Sequence, residues 1–156
     1  MNLFLAAGGG FLAAVIWMDL MFDVLALGPR TEGAGGDELA ERDLTHIAGY
    51  YRRVTTEAAP MNLLISGVMT TMVVILVFQL VRGDTSRTLA AGSLALCGIP
   101  ISLALLRVFP NAVRLGSRND DSAEQSRLAR AICIDHLMCF AAMVSFLVLR
   151  LCASPA

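Results

Sequence analysis

The chain has 156 residues, is 56% hydrophobic and carries a formal net charge of −1. Its mean hydropathy of +0.68 is too apolar for a soluble domain, and the near-neutral charge gives no reason to expect a nucleic-acid partner. No segment alternates apolar and polar residues as the wall of a barrel would, so the fold class is all-α.

Four apolar segments, about 3–27, 61–81, 88–108 and 128–151, reach the roughly 20 residues that a helix needs to cross a bilayer. They predict a single membrane domain over 1–156, a four-transmembrane-helix bundle. The first segment lacks the basic start and the small-residue cleavage site of a secretory signal, so it reads as a retained helix. Gly8, Gly9 and Gly10 in it, like Gly67 in the second span, suit close helix approach. Asp19 and Asp23 follow four residues apart, and so on one face.

The link over 28–60 opens with Gly28, Pro29, Gly33, Gly35 and Gly36 and then changes character. Ala40, Leu44, Ile47, Tyr51, Val54 and Ala58 recur at three- and four-residue steps, which predicts an amphipathic interfacial helix over about 38–58. Tyr50-Tyr51-Arg52-Arg53 within it can anchor the helix at the membrane surface. Alternatively, Tyr51 and Arg52 or Arg53 could cap a pocket and grip an anionic group. Pro60 suits the start of the second span, whose first turn also carries Asn62.

Arg82 to Arg87 is a short link that makes spans two and three an antiparallel pair. Gly98 and Pro100 could bend span three. Arg107 closes it, with Asn111 and Arg114 one and two turns further on if the helix continues past Pro110. The third link, Pro110 to Arg127, reads as polar and charged. Span four carries Asp135 and His136. Cys97, Cys133, Cys139 and Cys152 form no C-x-x-C pair, which disfavours thiol redox chemistry and favours simple packing.

All twelve basic residues are arginine, as a GC-rich genome would favour, and they crowd the first and third links. The positive-inside rule then places both links in the cytoplasm and both termini outside, in what reads as a bacterial inner membrane. A charge at mid-bilayer costs about 2.5–3.5 kcal/mol, so each intramembrane polar residue needs a reason. Asp19, Asp23, Asp135 and His136 are candidate catalytic groups. Tyr51, Arg52, Asn62, Arg107, Asn111 and Arg114 are candidate substrate contacts. All fall toward the end nearest the first and third links, leaving the other end apolar except at Gln79. The expectation is a chamber in which Asp19 and Asp23 face Arg107 and His136, with a purely structural Asp–Arg and Asp–His network as the competing reading. Asp19, Asp23 and His136 could also hold a divalent ion, but one histidine and no familiar spacing leave a metal unrequired, and no cofactor is demanded.

Four stretches together carry a resemblance: Tyr50-Tyr51-Arg52-Arg53, Ala59-Pro60-Met61-Asn62, Phe109-Pro110-Asn111-Ala112-Val113-Arg114, and Arg130 through His136. In their order and placement the chain resembles the anthrone oxygenase-like family of small four-helix membrane proteins. The resemblance implies cofactor-independent oxidation of a phenolic or polycyclic compound, with Asn111 and His136 in polar contact with it. The chain departs from that pattern where Pro110 directly precedes Asn111, in lacking an early Trp in span four, and in carrying Asp19 and Asp23.

The functional expectation is a multi-pass protein in a lipid bilayer that binds or oxidises a small lipophilic molecule in a pocket near the cytoplasmic side. An assembly subunit of a membrane complex and a proton- or ion-coupled small transporter are the alternatives. A homo-oligomer is compatible with each.

Overall fold

The computed structural model describes residues 1–28, 38–83 and 86–153, all of them in helices or short connections. Pro29, Arg30, Gly33, Gly35 and Gly36, singled out in the first link, lie outside the described residues. Helix α1 spans Asn2–Asp23 and tightens into a 3₁₀ turn over Val24–Leu27. Helices α2 (Glu41–Thr56), α3 (Ala59–Arg82) and α4 (Arg87–Leu103) follow, then α5 (Phe109–Ser117) and the long α6 (Ser122–Cys152).

Four helical runs, Asn2–Leu27, Ala59–Arg82, Arg87–Ser117 and Ser122–Cys152, are long and apolar enough to cross a membrane. Their outward faces fit such a solvent. Leu3, Leu63, Val81 and Leu106 are each at least three-quarters exposed, far more apolar surface than a soluble monomer shows.

Local chemistry sets the ends. Pro60 lies in the first turn of α3, where its missing N–H costs nothing, and Gly83 ends that helix at φ 72°, in the left-handed region that suits glycine. Ser86 Oγ accepts from Leu89 N at 3.3 Å and caps α4. Asp121 Oδ1 accepts from Glu124 N at 2.8 Å and caps α6.

The third link is much shorter than its composition suggests. Residues 104–108 form a π-helical segment in which Phe109 N–H reaches back to Ala104 O. That wider turn, with Pro110 placed in the first turn of α5, lets helix continue without the proline's missing donor. The polar stretch from Pro110 to Arg127 is therefore mostly helix, and only residues 118–121 connect α5 to α6. Its charges pair along the surface: Arg114 meets Asp120 at 2.9 Å and Glu124 at 3.2 Å, and Arg118 meets Glu41.

Helix α6 is the centre of the bundle, touching α1, α4, α5 and α2. One core, around Leu44, Ile47, Tyr51, Leu115, Leu128 and Ile132, binds α2 to α5 and α6. A second, around Leu5, Met72, Leu76, Met143 and Phe146, fills the opposite half. The apolar face of α2 is thus covered by protein: Leu44 and Ile47 are fully buried, each contributing about 1.5–3 kcal/mol. Leu39 N also donates to Ser126 Oγ at 3.0 Å, tying the approach to α2 onto α6.

Two of the glycines expected to permit close approach do so. A Cβ on Gly8 would lie 2.8 Å from Met72 Sδ, and one on Gly9 would lie 3.0 Å from the Phe146 ring. Gly10 and Gly67 have nothing within 4 Å and serve no such role. Gly116, not singled out in the sequence, is the tightest against backbone: a Cβ there would lie 2.9 Å from Arg52 N. Gly116→Ala should therefore push α2 off α5 and cost about 1–3 kcal/mol, read as a lower thermal midpoint in detergent. Gly67→Ala, facing open space in the interior of α3, should not lower the midpoint and should raise it slightly, since alanine is the better helix former.

Candidate functional site

Between the two cores lies a buried polar cluster shared by α1, α2 and α6. Asp19 and Asp23 project from consecutive turns of α1 toward α6. His136 sits between them. Its Nδ1 lies 2.6 Å from Asp23 Oδ2, and its Nε2 lies 3.9 Å from Asp19 Oδ2. Each carboxylate is closed on its other oxygen by a tyrosine of α2. Tyr51 Oη donates to Asp23 Oδ1 at 2.5 Å, and Tyr50 Oη donates to Asp19 Oδ1. Asp23 and Tyr51 are essentially fully buried, and Asp19 retains some exposure.

The tyrosines are held for this task. Tyr50 stacks on Phe22 with centroids 4.1 Å apart and meets Tyr51 edge-on at 5.3 Å. Burial, followed by the charge of the facing aspartates, pushes both phenols above their ordinary pKa. Both hydroxyls therefore keep their protons and act as donors.

An ionised carboxylate only accepts, so if Asp23 is ionised and His136 neutral the 2.6 Å contact places the imidazole proton on Nδ1. Nε2 is then left as the acceptor, on the side of Asp19. Asp19, His136 and Tyr51 line a cavity of about 200 Å³ that is otherwise mostly apolar, bounded by Leu12, Ile16, Ile65, Met69, Pro100, Ile101 and Met143 among others. An engineered apolar cavity of about 150 Å³ takes up benzene, so the space has room for an aromatic ring. Asp23 is absent from the lining and acts only through His136 and Tyr51.

Several expected members stand elsewhere. Arg107 does not meet Asp19 or Asp23. It lies on the π-helical segment, and its Nε pairs with Asp135 Oδ2 at 3.1 Å. The reason is rotational: Asp135 and His136 are neighbours on α6 and diverge by about 100°, so one faces α4 while the other faces α1. Asp135 is fully buried and neither of its oxygens has a well-aligned hydrogen bond among the described residues, which makes the ion pair its chief compensation. Asn111 is half-buried on α5, away from the cavity lining, and Arg114 is exposed in its surface ion pairs. Arg52 and Arg53 are exposed and outside the lining, so no arginine grips a ligand there. Asn62 does line the cavity, with its Nδ2 donating to Val54 O at 3.0 Å.

Among the described residues, no three His, Cys, Asp or Glu side chains are grouped to hold a metal ion. Cys97, Cys133 and Cys139 are buried and free, and Cys152 is exposed.

The far end of the bundle is also less apolar than expected. Arg150 Nη2 donates to Asn2 Oδ1 at 2.5 Å and to Gln79 Oε1 at 3.2 Å, joining the two ends of the chain to α3. Arg150 is buried there.

No protein-family model, curated protein or solved structure matches this chain.

Proposed function

We propose that this chain is a multi-pass membrane protein that binds a small lipophilic molecule bearing an acidic hydroxyl and removes its proton. The single observation behind this reading is the 3.9 Å gap between His136 Nε2 and Asp19 Oδ2 at the polar end of an apolar cavity. A ligand hydroxyl entering from the cavity can donate its one proton to His136 Nε2 at about 2.8 Å, ordinary hydrogen-bond range. His136 then takes the proton, and the imidazolium formed lies between two carboxylates that stabilise it. The phenolate left behind is electron-rich. With the resemblance to the anthrone oxygenase-like family, that extends the reading to oxidation of a phenolic compound with dioxygen as the electron acceptor, and with His136 as the contact.

In this reading the four apolar runs span a bacterial inner membrane, and α2 lies at its cytoplasmic surface as a cap over the cavity. The first and third links face the cytoplasm, following the arginines that remain there.

A second reading is favoured by one observation: Tyr50 and Tyr51 close both carboxylates symmetrically. An imidazolium locked between Asp19 and Asp23 would then only fix α1 against α6 and α2. A chromophoric nitrophenol separates the two. Added to the protein in lipid nanodiscs below its solution pKa, it should develop the longer-wavelength phenolate band on binding. A bound but neutral phenol spectrum, or no binding, would leave the structural network as the better account.

A further inference from the structure

The cavity does not end at its apolar wall. Thr55, Asn62, Ile65, Met69, Ile101 and Phe109 line both it and a larger groove of about 650 Å³ between α3 and the α4–π segment. The groove continues along α3 past Ser66, Thr70 and Val74, and Leu105 and Val74 in its wall are well over half exposed on the outside of the bundle. From Asn62 to Val74 it follows α3 for about 18 Å at 1.5 Å per residue. One end meets the cavity that Asp19 and His136 line, and the other opens onto the surface that faces lipid in a spanning bundle.

Resting on the function proposed above, we infer that the ligand is a single-ring phenol carrying a linear apolar chain, and that it enters sideways from the bilayer. The ring and its hydroxyl occupy the cavity, whose volume of about 200 Å³ has room for one ring. The chain lies in the groove, whose wall is apolar but for Thr55, Asn62, Ser66 and Thr70. The occupant is committed by continuity: a molecule whose polar end reaches Asp19 and His136 can leave the cavity along this groove without crossing a buried helix. The π-helical segment contributes to this passage directly, since Ala104 lines both spaces and Leu105 flanks the outer one. A lipid acyl chain could fill the groove but would bring no acidic hydroxyl to the gap.

The test compares 4-methylphenol with 4-dodecylphenol on the full chain in nanodiscs, each ligand referred to the same nanodiscs carrying the wild type, so that membrane partitioning cancels. Ser66→Trp and Thr70→Phe add bulk to residues that line the groove and not the cavity. Both should weaken the long-chain phenol at least ten-fold and leave 4-methylphenol within two-fold, which also reports that the fold is intact. His136→Gln should weaken both ligands alike. If the groove variants change neither ligand, or both equally, the chain-in-groove assignment is overturned and the groove holds lipid only. If they discriminate as expected while His136→Gln leaves both ligands bound, the groove stands and the proton-acceptor reading falls.

Discussion

Asp23→Asn is expected to lower proton abstraction from a bound phenol by at least about 10²-fold while leaving the bundle folded. The substitution conserves size. Asparagine can still accept from Tyr51 Oη through its carbonyl oxygen, so the buried tyrosine keeps its partner. Its other end, however, is an NH₂ that can only donate. It would donate to His136 Nδ1, now 2.6 Å from a carboxylate oxygen, and so move the imidazole proton to Nε2. Nε2 then points a proton at Asp19 and at the cavity, where an acceptor is needed. The carboxylate that would stabilise the imidazolium is also gone. Loss by this route is a tautomer effect: the nitrophenol should still bind, but without the phenolate band. Thermal unfolding should shift by only a few degrees. A variant that keeps the phenolate signal would show that the proton goes to Asp19 and that Asp23 is structural. One that fails to fold would assign Asp23 to helix assembly.

How far the sequence revealed this arrangement depended on which regularity carried each part. The four long helices were legible from apolar length alone, because the bilayer sets that length. The facing of Asp19 and Asp23 was legible from their four-residue spacing, and α2 from its three- and four-residue apolar steps. What α2 packs against was not: amphipathicity says that one face is buried, not whether lipid or protein covers it. The partner of His136 followed from depth along the helices. The partner of Arg107 did not, since adjacent positions on α6 diverge by about 100° and the third span's rotation is altered by a π-turn that no residue pattern announced. Tyr50 was visible only as one of a tyrosine pair. Its hydrogen bond to Asp19 depends on how α2 folds back over α1, and that depends on Gly116 letting the two helices of the cap approach. The groove was invisible for a related reason, being a space between elements with no residue type of its own.

The second large effect concerns the other half of the expected network. Arg107→Leu should destabilise the protein by about 3 kcal/mol or more, because it leaves Asp135 buried without its cation. Arg107 is itself 55% exposed, so its own desolvation is modest and little is recovered by removing it. Asp135 has no such relief. It is fully buried, and its oxygens have no aligned donor among the described residues. The double variant Arg107→Leu/Asp135→Asn should therefore regain most of the lost stability, since a neutral amide at 135 no longer needs a charge beside it. Thermal unfolding of the four proteins of this cycle in one detergent measures the coupling directly. The same cycle separates structure from chemistry. Arg107 and Asp135 are outside the cavity lining, so the refolded double variant should bind nitrophenol as phenolate like the wild type. If the double variant is stable yet has lost that signal, the Arg107–Asp135 pair acts on His136 electrostatically through α6 and belongs to the site. If Arg107→Leu alone leaves stability unchanged, Asp135 is held neutral, and the pair fixes neither the π-segment nor the register of α4 against α6.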